Sequence, residues 1–202
     1  MSVDRYLTLA TVSIGERREK ASRFIAHAFP ISDEDDFKEK LAAIAKDHHS
    51  ARHICFAWVL GETGDRFRAF DAGEPSGSAG KPMLRQLQGR DLTHSAIITV
   101  RYFGGTLLGQ AGLARAFSAA AQEAIANNAI IERIVFIELI VHCSYAEVEA
   151  LRQDVLLLKG EVLHADFLER CVLRVAVPRG CVEECTERWR RYGLKISPLQ
   201  EK

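Results

Sequence analysis

The sequence predicts an α+β protein of two domains, 1–132 and 133–202. Three observations point to that class. Apolar alternation marks strands at His53–Leu60 and Ser95–Tyr102. Phe37, Leu41, Ile44 and Ala45 recur at helical spacing between such strands. After Asn128 the alternation of strand and helix starts again and runs to the C-terminus as β-α-β-β-α-β, the ferredoxin-like plan.

In chain order, Tyr6–Val12 alternates weakly and is expected as the first strand. Ser22–Phe29 is the second, with Phe24, Ala26 and Ala28 on one face and Arg23, Ile25 and His27 on the other. Ser32 is expected to cap the next helix, whose first turn carries Asp33, Glu34, Asp35 and Asp36. Carboxylates favour the positive dipole end there, so this acidic run reads as a helix start rather than a metal cluster. His53–Leu60 places Ile54, Phe56, Trp58 and Leu60 on one side, and Gly61–Asp65 turns it back into Arg66–Phe70 as a hairpin. A short helix, Pro82–Gln88, the strand Ser95–Tyr102 and the helix Gln110–Ala126 follow. The last buries Leu113, Ala116, Phe117, Ala120 and Ala124, and Asn127-Asn128 ends it.

In the second domain, Ile134–Cys143 reads as a strand, and Ser144 with Glu147 has capping-box spacing. Val148, Leu151, Val155 and Leu158 form a helical stripe that stops at Gly160. Strands Glu161–Phe167 and Arg170–Pro178 come next. A helix with the stripe Val182, Cys185, Trp189 and Tyr192 and a short strand, Lys195–Leu199, complete the order.

Composition narrows the function. Lysine plus arginine and aspartate plus glutamate are balanced at 27 each, so bulk charge does not coat this protein with nucleic acid. No apolar run approaches the roughly 20 residues that span a bilayer, and none follows a basic start, so no membrane partner is expected. The cysteines number five, without C-x-x-C spacing, which fits a reducing, cytoplasmic setting.

Chemistry concentrates between Asp71 and Phe117. Gly73, Gly77 and Gly80 lead into Lys81-Pro82, and Gly104, Gly105, Gly109 and Gly112 follow the apolar run Ala96–Val100. Glycine clusters mark backbone that takes positive φ or approaches something closely. Pro82 suits a first helical turn. Two glycine-rich loops therefore feed two helix N-termini, each of which offers N–H groups and a positive dipole end to an anion. Between Pro75 and Gln122 the charges are Lys81, Arg85, Arg90, Arg101 and Arg115 against Asp91 alone.

Enzymatic patterns fail at specific residues. A Walker loop needs glycine where Pro75 stands and a hydroxyl where Pro82 stands. Ser76 and Ser78, with Asp71, Glu74 and His53 not far away in sequence, suggest a hydrolase, but Pro-Ser-Gly-Ser is not a nucleophile elbow and reads as a turn. Cys181, Cys185, His142 and Cys143 include metal-ligating types, yet Cys185 and Cys143 fall on apolar faces, so no metal is expected. Glu138, His142, His164, Arg170 and Arg174 occupy the open face of the second sheet. That mixture reads as a solvated surface without the aromatic pair an RNA platform uses.

The stretches DAGEPSGSAGKP and VRYFGGTLLGQAGLARAFSAAA, with ARHICFA and KASRFI upstream, resemble the signature of the IMPACT/YigZ family over nearly the whole chain. Ala72, Ser78 and Ala111 depart from that pattern, where Asp, Thr and Gly are usual. The resemblance implies a first domain like the second domain of ribosomal protein S-five and a second like the last domain of elongation factor G. It also implies a role connected with translation, which in eukaryotic relatives is regulation of initiation under stress through a protein partner.

The expectation is therefore a non-enzymatic, cytoplasmic protein without a cofactor, binding RNA, the ribosome or a translation-associated protein. The binding set comprises His53, Asp71, Gly73, Glu74, Ser76, Gly77, Ser78, Gly80, Lys81, Arg101, Gly104, Gly105, Gly109 and Arg115. The competing expectation is a hydrolase or phosphate-handling enzyme that uses the glycine loop as its substrate site. It requires Glu74, a serine and His53 within hydrogen-bond reach, whereas a binding surface requires Lys81, Arg101 and Arg115 to converge.

Overall fold

The computed structural model describes residues 4–167 and 171–198. Its backbone separates into two units, one of Arg5–Arg133 and one that joins Asp4 to the residues from Ile134 onward.

The first unit runs through β1 (Arg5–Leu9), β2 (Ser13–Glu19), β3 (Ser22–Pro30), α1 (Glu34–Asp47), β4 (His53–Leu60), β5 (Arg66–Phe70), α2 (Gly80–Gln88), β6 (Ser95–Tyr102), α3 (Gly109–Ala126) and β7 (Ile130–Ile134). Five strands form one antiparallel sheet in the order β2-β3-β6-β4-β5, and β1 pairs with β7 apart from it. Period-two alternation sends the two faces of each central strand into different cores. Phe24, Ala26, Ala28, Cys55, Ala57 and Val59 pack with residues of α2 and α3. Phe29, Phe56, Trp58 and Leu60 pack with Phe37, Leu41 and Ile44 of α1. Strand β6, in the middle, is buried on both faces.

Three features of this unit differ from expectation. β2 has no counterpart among the expected strands, because its only large aliphatic, Ile14, points outward; the inward positions are Ser13 and Gly15. Those small residues let α3 lie close: a Cβ on Gly15 would come 2.3 Å from the backbone nitrogen of Ala124, and the Ser13 hydroxyl donates to the Ala124 carbonyl at 2.7 Å. β1 stops at Leu9 rather than Val12, and the side-chain oxygen of Asn128 accepts the N–H groups of Ala10 and Thr11 beyond it. The cap of α1 is Asp33, not Ser32. Its carboxylate accepts from the N–H groups of Asp35 and Asp36 at 2.9 and 2.8 Å, while the Ser32 hydroxyl only donates to Asp33.

The second unit contains β8 (Phe136–Cys143), α4 (Val148–Leu157), β9 (Glu161–Phe167), β10 (Cys171–Pro178), a 3-10 turn at Arg179–Cys181, α5 (Val182–Arg191) and β11 (Lys195–Pro198). The sheet order β11-β8-β10-β9, antiparallel throughout, is the ferredoxin-like arrangement. Leu139, Val141, Leu173 and Val175 of the sheet bury against Leu151 and Val155 of α4 and Cys185 and Trp189 of α5.

The expected strand Ile134–Cys143 is instead two, because Val135 leaves the ladder: its N–H donates to the Asp4 carbonyl and its carbonyl accepts from Arg179. The Glu147 carboxylate accepts the Ser144 N–H and hydroxyl, but the helix begins at Val148, three residues later than a cap at Ser144 would start it. Tyr192, expected in the buried stripe, is 70% exposed beyond the end of α5. Arg170 and Leu199, which the sequence assigns to strands, lie outside the described residues.

Candidate functional site

All residues of the glycine-loop region belong to the first unit. The β4–β5 hairpin delivers Asp71 to the mouth of the first loop, and that loop then folds around its carboxylate. Oδ2 accepts the N–H of Gly77 at 2.8 Å, and Oδ1 accepts those of Ala79 at 3.0 Å and Gly80 at 2.8 Å. Burial opposes ionisation of this carboxyl, but the backbone donors and nearby Lys81 outweigh it and hold it below its ordinary value. The N-terminus of α2 is thus closed by a carboxylate of the protein itself. The sequence pattern leaves those N–H groups open to a ligand, and the geometry corrects this.

Ser78 is fully buried, and its hydroxyl donates to the Pro75 carbonyl at 2.6 Å. Ser76 is exposed, and its carbonyl accepts from Gln110 Nε2 at 2.8 Å, tying the first loop to the start of α3. Gly80 is required by close approach, since a Cβ there would come 2.5 Å from the Phe70 nitrogen. Gly104 is more constrained still: a Cβ would lie 1.9 Å from the carbonyl carbon of Ala21.

Arg101 on β6 and His53 on β4 are cross-strand partners. Arg101 is not a free cation. Its Nη1 donates to both carboxylate oxygens of Glu74, at 2.6 and 2.8 Å, in a pair only 5% and 8% exposed. The guanidinium also lies 5.4 Å from the ring centroids of Phe24 and Phe103. Its Nε has no hydrogen-bond partner. His53 Nδ1 sits 2.9 Å from the Ala72 carbonyl and 3.9 Å from Glu74 Oε1. The carbonyl can only accept, so Nδ1 carries a proton.

These groups do not form a nucleophile–base system. Among the described residues no serine or cysteine is hydrogen-bonded to His53. Cys55, the nearby thiol, is buried and donates to the Asp71 carbonyl at 3.0 Å. Burial, with the Glu74 and Asp71 charges, pushes it well above the ordinary thiol range. No group of three metal-ligating side chains occurs among the described residues.

What remains is a cleft of about 350 Å³ with a polar wall of Arg52, His53, Glu74 and Arg101 and an apolar lip of Phe103, Leu107, Leu108 and Leu113. Gly109, the first residue of α3, also lines it. Unlike α2, whose leading N–H groups meet Asp71, this helix has no side-chain acceptor at its start; neither helix has an acidic residue in its first turn. Lys81 and Arg115 are exposed on α2 and α3, and neither forms an ion pair among the described residues. The expected convergence of Lys81, Arg101 and Arg115 therefore does not occur, because Arg101 is spent inside. Arg52, Phe103 and Leu107 are not singled out by the sequence, although Arg52 adjoins His53 and Phe103 adjoins the Gly104-Gly105 pair.

In the second unit, Glu138 and Arg174 on the open sheet face pair with each other at 3.0 Å. Among the described residues no helix is long and apolar enough to cross a membrane.

Comparison with known proteins gives a consistent result. The Impact N-terminal domain matches residues 20–125. The chain is 30% identical to IMPACT family member YigZ of Escherichia coli (strain K12) over 197 residues, covering 95% of this chain and 96% of that one. It is 33% identical to an IMPACT family member of Haemophilus influenzae, covering 88% and 87%, and 39% identical to YvyE of Bacillus subtilis over 128 residues, covering 63% and 59%. A crystal structure of a hypothetical protein superposes over all of both chains with TM-score 0.75 at 27% identity.

Proposed function

The chain belongs to the IMPACT family, and on that premise we propose that it is a non-enzymatic, translation-associated protein that binds RNA. The contact surface in this reading is the basic rim around the glycine loops, with Lys81, Arg115 and Arg52 reaching phosphates. The observation that carries the proposal is a contrast between two sets of residues. Every acid in the loop is already engaged, Asp71 by backbone donors and Glu74 by Arg101, while among the described residues Lys81 and Arg115 stand exposed without an ion pair, Lys81 acting on Asp71 only through its charge. An exposed cation without such a partner costs the fold nothing and is free to neutralise a phosphate. A hydrolase would instead need a nucleophile beside His53, and the serine hydroxyl buried in this loop is bonded to a carbonyl.

The test is binding of a fluorescently labelled single-stranded RNA, followed by anisotropy across a salt series. Lys81→Glu and Arg115→Glu are expected to weaken binding several-fold. For every phosphate that a variant no longer neutralises, the slope of log affinity on log salt should fall by about 0.7. Unchanged binding in variants that melt as the wild type does would refute the reading.

A further inference from the structure

The basic rim explains attraction to a polyanion, but it leaves the cleft beside it without a role. We infer that this cleft is a nucleotide subsite, taking one unstacked nucleotide of a bound single strand, with its phosphate at the N-terminus of α3 and its base against Phe103. The inference rests on the RNA-binding reading and adds the ligand unit and its pose.

Four observations meet in the cleft. First, the two helix starts in the glycine region are unlike: the donors leading into α2 end on Asp71, whereas α3 begins at Gly109 with no side-chain acceptor. An uncapped start of a long helix favours a phosphate oxygen. Second, Arg101 lines the same cleft, is more than nine-tenths buried, and keeps Nε without a partner. Glu74 does not repel the phosphate oxygen outright, since both its carboxylate oxygens are bonded to Arg101 Nη1.

Third, Phe103 stands at the lip 47% exposed, with its ring against the Arg101 guanidinium, and Leu107 beside it is 82% exposed. Neighbouring Gly105 and Gly109 leave open space, as a Cβ on either would meet nothing within 4 Å. A half-exposed aromatic over bare backbone offers a stacking platform that accepts any base. Inorganic phosphate would have no use for such a wall, and an acyl chain none for the Arg101 side. Fourth, the cleft measures about 350 Å³, at the small end of the roughly 300–1,000 Å³ that ligand sites occupy, which suits one nucleotide and not a folded domain.

The experiment is calorimetric titration of the full chain at low ionic strength with inorganic phosphate, ribose 5-phosphate, and adenosine and uridine 5′-monophosphates. Both nucleotides should bind more tightly than ribose 5-phosphate. Phe103→Leu should weaken the nucleotides about tenfold while leaving the two base-free probes unchanged, and Phe103→Tyr should restore binding. Ala111→Glu puts a carboxylate into the exposed first turn of α3, where it stabilises the helix, and should weaken all four probes. This variant keeps the test decisive if Phe103→Leu proves unstable.

Nucleotides that bind no tighter than ribose 5-phosphate, or that are indifferent to both Phe103→Leu and Ala111→Glu, overturn the subsite. If that happens while RNA still binds in a Lys81-dependent manner, the subsite falls and the RNA-binding reading stands. If labelled RNA does not bind at all, the RNA-binding reading falls, and nucleotide binding lost in Phe103→Leu would then support the cleft alone.

Discussion

Removing Arg101 tests how the glycine loop is held in place. Its bonds to Glu74 are the link between the first loop and the central strand β6, in a pair only 5% and 8% exposed. Replacing one member leaves the other's charge buried and unpaired, a loss of about 3–5 kcal/mol. Domain stabilities are about 5–15 kcal/mol, so either single variant forfeits a large share. Removing both charges together is another matter. Arg101→Met with Glu74→Met keeps apolar stems of similar length and strands neither ion, and such exchanges are neutral or stabilising by about 1–4 kcal/mol. Urea denaturation of wild type, Arg101→Met, Glu74→Met and the double variant closes a cycle whose interaction energy should exceed the roughly 3 kcal/mol usual for contacting residues, because two losses of about 3–5 kcal/mol vanish together. Single variants costing under about 1 kcal/mol, or costs that simply add, would mean that the pair behaves as a surface ion pair and does not fix the cleft floor. Arg101→Glu, which sets two carboxylates against each other in the interior, is expected to unfold the unit and cannot report on RNA.

Three further outcomes are expected. Asp71→Ala orphans the N–H groups of Gly77, Ala79 and Gly80 and should cost about 2 kcal/mol at pH 7. Because the folded carboxyl lies below its unfolded value of about 3.9, this contribution is complete above that pH and disappears as pH falls through the folded value; the gap between variant and wild type in denaturation curves should therefore narrow in acid. Gly104→Ala, whose Cβ meets Ala21 backbone at 1.9 Å, should destabilise severely, whereas Gly105→Ala meets open space and should cost only about 1–2 kcal/mol for its positive φ; equal thermal shifts would contradict the close-approach argument. A fragment of residues 134–202 should melt cooperatively, followed by the fluorescence of Trp189 buried in that unit's own core; a fragment without a transition would show that this core needs the rest of the chain.

Where a strand buries large side chains, the sequence declares it. β4 and β6 alternate or saturate with Ile, Val, Phe and Trp, and their limits follow from that pattern alone. β2 hides for the opposite reason: its core-facing positions are Ser13 and Gly15, suited to helix approach rather than volume, so hydrophobic periodicity points to the wrong face. The break at Val135 depends on hydrogen bonds to Asp4 and Arg179, residues far apart in sequence, and no local pattern encodes it. The cap of α1 turns on which of two adjacent polar residues meets the free N–H groups, and both Ser32 and Asp33 are good caps.

The site is legible in the sequence as a place and not as a circuit. Glycines, basic residues and helix starts all fall in one stretch of sequence, yet only some of them line the cleft: Gly73, Arg101 and Gly109 do, whereas Lys81 and Arg115 do not. Sequence does not tell which charges neutralise one another, because ion pairing depends on which strand register brings two residues together. Arg101 is buried opposite His53 and meets Glu74 from the loop, so a cation that looks available in the sequence is structural. Asp71 has the look of a ligand-binding acid and instead closes a helix start. Both acids of the DAGEP stretch are therefore turned inward, and what the protein leaves facing solvent is positive charge, one open helix start and an aromatic ring.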